Sequence, residues 1–202
     1  MNSYETRGKS VTRKSNTIIG DNMEYDYYTD RLYIHTAKNT EIEQILDFHM
    51  RNRDYFEQYE EPKAKDFYTL LYQLKAMSAE ALSFDKNYFL RYYISLTAEP
   101  SLIIGTISFK KYSHNDNSAM MLGYKIDHKM WRQGYAYESL SYLIPRIFLS
   151  GITTRLEALV STDNTASIAL LEKLGFSLLP EDNVVCPTRR GNILHRLYYI
   201  ES

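Results

Sequence analysis

The chain has 202 residues and a formal net charge of −1, long enough for one α/β domain with a full core and too neutral for a binder driven by phosphate neutralisation along nucleic acid. Its one cysteine, Cys186, excludes an intrachain disulfide and a cysteine-based zinc cluster and reads as a buried or half-buried structural thiol. No apolar run approaches the ~20 residues that span a bilayer, and the first residues lack the apolar stretch of a secretory signal; a soluble, cytoplasmic protein is expected, as a monomer or homodimer with no membrane partner.

Residues 1–30 are polar and hold no persistent period, so they read as a mobile extension ahead of a domain over 31–202; a short strand at Thr17-Ile18-Ile19 is the one regular feature expected there. Regular structure is expected from Leu32-Tyr33-Ile34-His35-Thr36. Thr40 with Glu43 three residues on reads as a capping box opening a helix, with Ile42, Ile45, Leu46 and His49 on one face. Residues 52–62 read as a loop or broken helix rich in Tyr55, Phe56, Glu57, Tyr59, Glu60 and Glu61. A second helix is predicted over 63–82, with Phe67, Leu70, Leu71 and Leu74 as its apolar face.

Three strands follow near 88–97, 102–112 and 118–126, with turns at Glu99-Pro100 and at 113–118 too short for anything but antiparallel hairpins. A helix over 133–149 carries an internal Pro145 that should loosen it locally, and Ser150-Gly151 closes it. Strand 155–161, helix 164–174 ending at Gly175, and strands near 176–180 and 193–200 complete the chain. This order fits an α/β (α+β) domain: a mixed sheet covered by helices. Tyrosine is unusually frequent, with 19 residues; most of these rings fit core or rim packing, and several could line a substrate groove.

The most informative run is Trp131-Arg132-Gln133-Gly134-Tyr135-Ala136-Tyr137-Glu138. It reads as a glycine-hinged turn feeding a helix. Gly134 removes the side chain where a ligand would approach the backbone, and the first N–H groups of the helix have no partner inside it. With the helix dipole they form an anion site suited to a pyrophosphate, and Arg132 adds a cation. Taken alone, a glycine at a helix start is more often plain geometry. A second pattern follows: Asn164, then Ser167, then Leu171-Glu172-Lys173-Leu174-Gly175-Phe176.

With Gly123-Tyr124-Lys125-Ile126 ahead of them, these runs resemble the GNAT acetyltransferase superfamily, and within it the RimJ/RimL-like N-acetyltransferases. The cofactor stretch of that branch usually reads Gly-Tyr-strand, then Trp-Gly-Lys-Gly-Tyr-Ala-Thr-Glu-Ala. Its later motif has Asn, Ser three on, then Leu-Glu-Lys-Leu-Gly-Phe. The resemblance covers residues 31–200. It implies the GNAT fold, a mostly antiparallel sheet splayed at a cofactor cleft, and acetyl transfer from acetyl-CoA to an amine. The two motifs in this order are specific for the superfamily and much less so for an acceptor.

By that resemblance the amides of Gln133, Gly134, Tyr135, Ala136 and Tyr137, with Arg132, would hold the pyrophosphate. The strand edge at Tyr124, Lys125 and Ile126 would bind the pantetheine; for Gly123 the alternative is a simple bulge. Asn164 would contact the pantetheine, although a helix N-cap explains it equally well. Many relatives carry a Tyr four residues beyond the position of Ser167 to protonate the leaving thiolate. Leu171 stands there, so Ser167, directly or through water, is the substitute, the alternative being a packing role. Glu157, then Glu57, are the candidate bases, the alternative for each being a solvated carboxylate. The histidines lack ligand spacing, so no metal is expected.

Three functions compete. The leading one acetylates a protein N-terminal amine. The second keeps the chemistry with a small amine, since the acidic-aromatic loop from Tyr55 to Glu61 would suit a cationic acceptor. The third is a non-catalytic acyl-CoA-binding module, motivated by Leu171 and by His195, which stands where the RimJ/RimL branch usually has Asp.

Overall fold

The computed structural model describes residues 23–114 and 117–202. The strand expected at Thr17-Ile18-Ile19 lies outside them. In chain order the elements are β1 (Asp26–Tyr28), β2 (Leu32–His35), α1 (Ile42–Arg51), α2 (Arg53–Phe56), α3 (Leu70–Phe84), β3 (Phe89–Leu96), β4 (Glu99–His114), β5 (Asn117–Ile126), α4 (Tyr135–Leu149), β6 (Arg155–Ser161), α5 (Thr165–Lys173), β7 (Ser177–Thr188) and β8 (Gly191–Glu201). The strands form one sheet in the order β1-β2-β3-β4-β5-β6-β8-β7. Every pairing is antiparallel except β5 with β6, which run parallel.

Strand alternation gives the sheet two dissimilar faces. On one, Leu90, Tyr92, Ile107, Phe109, Leu122, Leu156 and Ala158 pack against Leu140, Leu143 and Ile147 of α4 and Leu171 of α5. On the other, Tyr93 and Ile103 meet Ile45 and Phe48 of α1 and Phe56 of α2. Helix α4 continues through Pro145. Burying Leu140, Leu143 and Ile147 contributes about 1.5–3 kcal/mol each, which outweighs the ~3 kcal/mol an interior proline costs.

Several boundaries differ from the sequence expectation. Strand β1 pairs with β2 inside the segment read as an extension, so the sheet begins ahead of residue 31. The capping box does not form: Glu41 is the residue preceding α1, and Thr40 donates instead to the Thr36 carbonyl at 2.8 Å. Helix α3 starts at Leu70 because Thr69 Oγ1 accepts from the Tyr72 amide at 3.2 Å. Its buried residues are Gln73 and Phe84, while Leu70, Leu71 and Leu74 face solvent. The β3–β4 turn falls at residues 97–98, leaving Glu99 and Pro100 inside β4. Strand β7 runs past Pro180 and through Pro187, which an edge strand tolerates because one row of its donors needs no partner.

Candidate active site

Two strands that part company create the cleft. β5 pairs with β6 at only two positions, Met120 with Leu156 and Met121 with Glu157. Beyond them β5 stays with β4 through Ile126, and β6 stays with β8 through Ser161 opposite His195. The β5 edge from Leu122 onward therefore faces an opening. Unpaired strand N–H and C=O groups there can take up an extended amide-bearing chain. The β4–β5 register runs through Gly123 without a shift, so Gly123 is no bulge. A Cβ at Gly123 would lie 3.2 Å from Ser108 Oγ, a tight fit on that face. One of these polar groups is already used, since Trp131 Nε1 donates to the Ile126 carbonyl at 2.7 Å.

The glycine turn closes one end of the opening. Asp127 accepts from the Lys129 amide at 2.9 Å and starts a short 3-10 turn. Arg132 then adopts φ +60° and Gly134 φ +84°, both left-handed. The first helical bond of α4 runs from the Glu138 amide to the Gly134 carbonyl at 2.9 Å, so the Tyr135, Ala136 and Tyr137 amides have no acceptor within the helix. That geometry suits an anion.

Arg31 and Glu138 brace this turn, and sequence reasoning missed the pair. Glu138 accepts from Thr29 Oγ1 at 2.5 Å and from Arg31 Nε at 2.7 Å, while Arg31 Nη1 donates to the Gln133 carbonyl at 3.1 Å. Burial opposes its charge, yet the Thr29 and Arg31 donors hold the Glu138 carboxyl below its ordinary range. The Arg31 guanidinium also lies 4.5 Å from the Tyr135 ring centre. Acidity in the first turn of α4 was the available signal.

Across the opening, Asn164 Oδ1 accepts from the Ser167 amide at 3.2 Å and caps α5. Tyr124 reaches over from β5 and donates to the Ser167 carbonyl at 3.4 Å. Burial raises that phenol above its ordinary value. Leu171, where relatives carry a tyrosine, is fully buried in the core.

The candidate carboxylates lie on the opposite face. Glu157 is wholly buried at the last paired position before the strands separate, so it is no solvated carboxylate. Arg155 Nε donates to its Oε1 at 2.6 Å, and Arg155 also pairs with Glu201 at 2.7 Å. Glu57 ends α2 and is tied three ways, to Tyr68 Oη at 2.7 Å, Arg53 at 3.2 Å and Arg189 at 3.3 Å. Glu60 pairs with Lys63 at 2.6 Å and with the Lys125 ammonium. The acidic loop is thus largely neutralised in place, contrary to its expected suitability for a cationic acceptor. The β7–β8 turn reaches over it: Arg189 meets Asp54 at 2.9 Å, and Arg190 meets Asp163 at 2.6 Å and the Gln58 carbonyl at 3.1 Å. His195 is buried, with Nδ1 3.0 Å from the Ile193 carbonyl. Cys186 is half-buried and its thiol is pushed up by burial.

A strand pair opening beside a phosphate-sized turn suits a ligand that joins an extended amide-bearing arm to a pyrophosphate. Residues 31–177 match the family described as Acetyltransferase (GNAT) domain, and the chain belongs to that family. It is an N-acetyltransferase by class. A probable N-acetyltransferase of Bacillus subtilis, YjcK, is 29% identical over 147 residues, spanning 72% of this chain and 80% of that protein. The ribosomal-protein-S5-alanine acetyltransferase of Vibrio fischeri superposes with a TM-score of 0.79 at 18% identity, covering 88% of this chain and 97% of that one. RimL, a ribosomal L7/L12 α-N-protein acetyltransferase solved with coenzyme A, gives a TM-score of 0.73 at 18% identity, covering 86% and 95%. No described helix is long and apolar enough to cross a membrane.

Proposed function

We propose that this chain transfers the acetyl group of acetyl-CoA to a primary amine, the N-terminal amine of a protein. The observation that carries this reading is the open β5 edge beside the left-handed turn at Gly134: together they offer one slot for an extended pantetheine and its pyrophosphate. The Tyr135, Ala136 and Tyr137 amides and Arg132 take the pyrophosphate. The edge amides from Tyr124 to Ile126 align the pantetheine, so that a backbone N–H also polarises the thioester carbonyl.

The acceptor approaches from the face that carries Glu157. Glu157, oriented by Arg155, removes a proton from the ammonium directly or through water. The free amine attacks the thioester carbon, the adduct's nitrogen gives up its second proton to water, the carbon–sulfur bond of the tetrahedral adduct breaks, and the thiolate leaves. Ser167 delivers a proton to that sulfur and regains one from solvent. A protein N-terminus is favoured as acceptor because the structural relatives include ribosomal-protein acetyltransferases, while the paired acids of the 54–60 loop leave little to attract a polycation.

The test is thiol release from acetyl-CoA with unblocked peptides beside polyamines and aminoglycosides. Release with peptides at a rate well above the small amines supports the reading. Release confined to small amines overturns the acceptor assignment.

A further inference from the structure

Resting on that reading, we propose that the acceptor carries a carboxylate within one residue of its reactive amine, and that Lys125 and Lys63 receive it. With the thioester taken to lie at the Gly123 end of the slot, Lys125, two residues on along the same face of β5, is about 7 Å from it along the strand. Its side chain points away from the α4–α5 layer, toward the loop that carries Glu60.

The charges around it do not balance. Lys125 and Lys63 share one carboxylate, Glu60, and the neighbouring Arg91 is paired with Glu80 at 3.4 Å. Among the described residues, three cations thus face two carboxylates. His49, packed beside them, adds no charge: burial, then Lys125, Arg91 and Lys63, hold its imidazole neutral. The adjoining groups are already matched, Arg53 and Arg189 with Asp54 and Glu57, and Arg190 with Asp163. The surplus positive charge therefore sits at Lys125 and Lys63. Each lysine is about one quarter exposed, so both are reachable. Surplus charge in a mostly dry site is costly, and an incoming anion offsets that cost. Burial lowers Lys125 to about 8 despite Glu60, as expected for a site short of negative charge. The Phe56 ring, 5.3 Å from Lys125 Nζ, and the Phe67 ring, 5.5 Å from Lys63 Nζ, wall the site with apolar surface that strengthens such a pairing.

Two sources supply this chemistry: an acidic residue at the start of a peptide, and a free acidic amino acid. Product binding separates the inference from turnover. The full-length protein, saturated with CoA, is titrated in a calorimeter with N-acetyl-Asp-Ala-Ala-amide, its isosteric Asn counterpart, and N-acetylaspartate. The peptide carboxylate is expected to bind at least ten-fold tighter than the amide, and Lys125→Met to bring that ratio close to one; Lys63→Met repeats the comparison if the first variant folds poorly. N-acetylaspartate binding tighter than the Asp peptide identifies a free amino acid as the source, and the reverse a peptide. Measurable binding of the Asp and Asn peptides with equal affinity, or no binding of the Asp peptide and of N-acetylaspartate alike, overturns the inference even if amines support thiol release. Loss of thiol release with every amine would instead overturn the transferase reading.

Discussion

Glu138 and Arg31 face each other across the mouth of the anion turn, with Arg31 Nη2 2.6 Å from Glu138 Oε2. They come from the first turn of α4 and the residue just ahead of β2, and they fix the turn to the sheet. Glu138 is only one fifth exposed, but Arg31 is about half exposed, so the pair contributes modestly, on the order of 0.5–1 kcal/mol. Its main effect is on placement of the Tyr135–Tyr137 amides. Glu138→Gln should lower the melting temperature by roughly 1–3 °C and weaken acetyl-CoA binding about three- to ten-fold. Unchanged affinity by calorimetry would remove this brace from cofactor binding.

Arg132 and Gly134 give predictions of opposite sign for backbone strain and of the same sign for binding. Arg132 holds φ +60°, a conformation costing a non-glycine residue about 1–2 kcal/mol. Arg132→Gly removes that strain but gives back roughly 0.5–1 kcal/mol of chain entropy. A small net stabilisation is expected, together with weaker binding of acetyl-CoA as the cation is lost. Gly134→Glu should abolish binding, since it sets a negative side chain at the turn and imposes φ +84° on a residue with a Cβ. Micromolar affinity retained by Gly134→Glu would show that the pyrophosphate sits elsewhere.

Ser167 is the expected donor to the leaving thiolate. Ser167→Ala should cut turnover ten-fold or more with little change in stability, because alanine suits a helix and the Asn164 cap uses the Ser167 amide rather than its hydroxyl. The missing tyrosine cannot be restored in place. Leu171 is fully buried, so Leu171→Tyr overpacks the core and should cost about 1–3 kcal/mol without raising activity. Stopped assays beside urea denaturation separate the two effects. Full turnover by Ser167→Ala would exclude the hydroxyl from the chemistry.

Acid should destabilise the fold through two buried imidazoles. Burial lowers His35 to about 4 and His49 to about 2, against an ordinary 6.5. The unfolded chain therefore binds more protons below pH 6.5, and stability falls as pH drops from there toward 4. One unit below the unfolded value each ring costs roughly 1.4 kcal/mol, so the pair should remove about 2–3 kcal/mol between pH 7.5 and 5.5. His35 neutral fits its site, with Nδ1 2.9 Å from Thr40 Oγ1 and Nε2 3.2 Å from Ser95 Oγ. Urea midpoints across that range check this, and His35→Gln should flatten part of the slope. A midpoint independent of pH over the same range would contradict it.

The central strands and the last two helices were readable because their signals are local. Alternation marks β6 as Leu156, Ala158 and Val160 against Glu157 and Ser161, and the left-handed glycines Gly134, Gly151 and Gly175 mark helix ends. The inner face of α3 was not readable. Polar Gln73 and Glu80 occupy it, satisfied by the Phe67 carbonyl and the Tyr93 hydroxyl, so hydrophobicity pointed to the wrong side. The cofactor side of the site rests on backbone geometry that a glycine pattern announces. The acceptor side rests on ion pairs between residues far apart in the chain, such as Glu57 with Arg189 and Glu60 with Lys125, which no short window reveals.

Calorimetric titration of the full chain with acetyl-CoA, beside CoA and ATP, bears most directly on the slot formed by β5 and the Gly134 turn. Micromolar binding of acetyl-CoA and CoA without ATP is expected, because the β5 edge selects the pantetheine that ATP lacks. Equal binding of ATP would reduce the slot to a phosphate site. No binding of acetyl-CoA would contradict the assignment altogether.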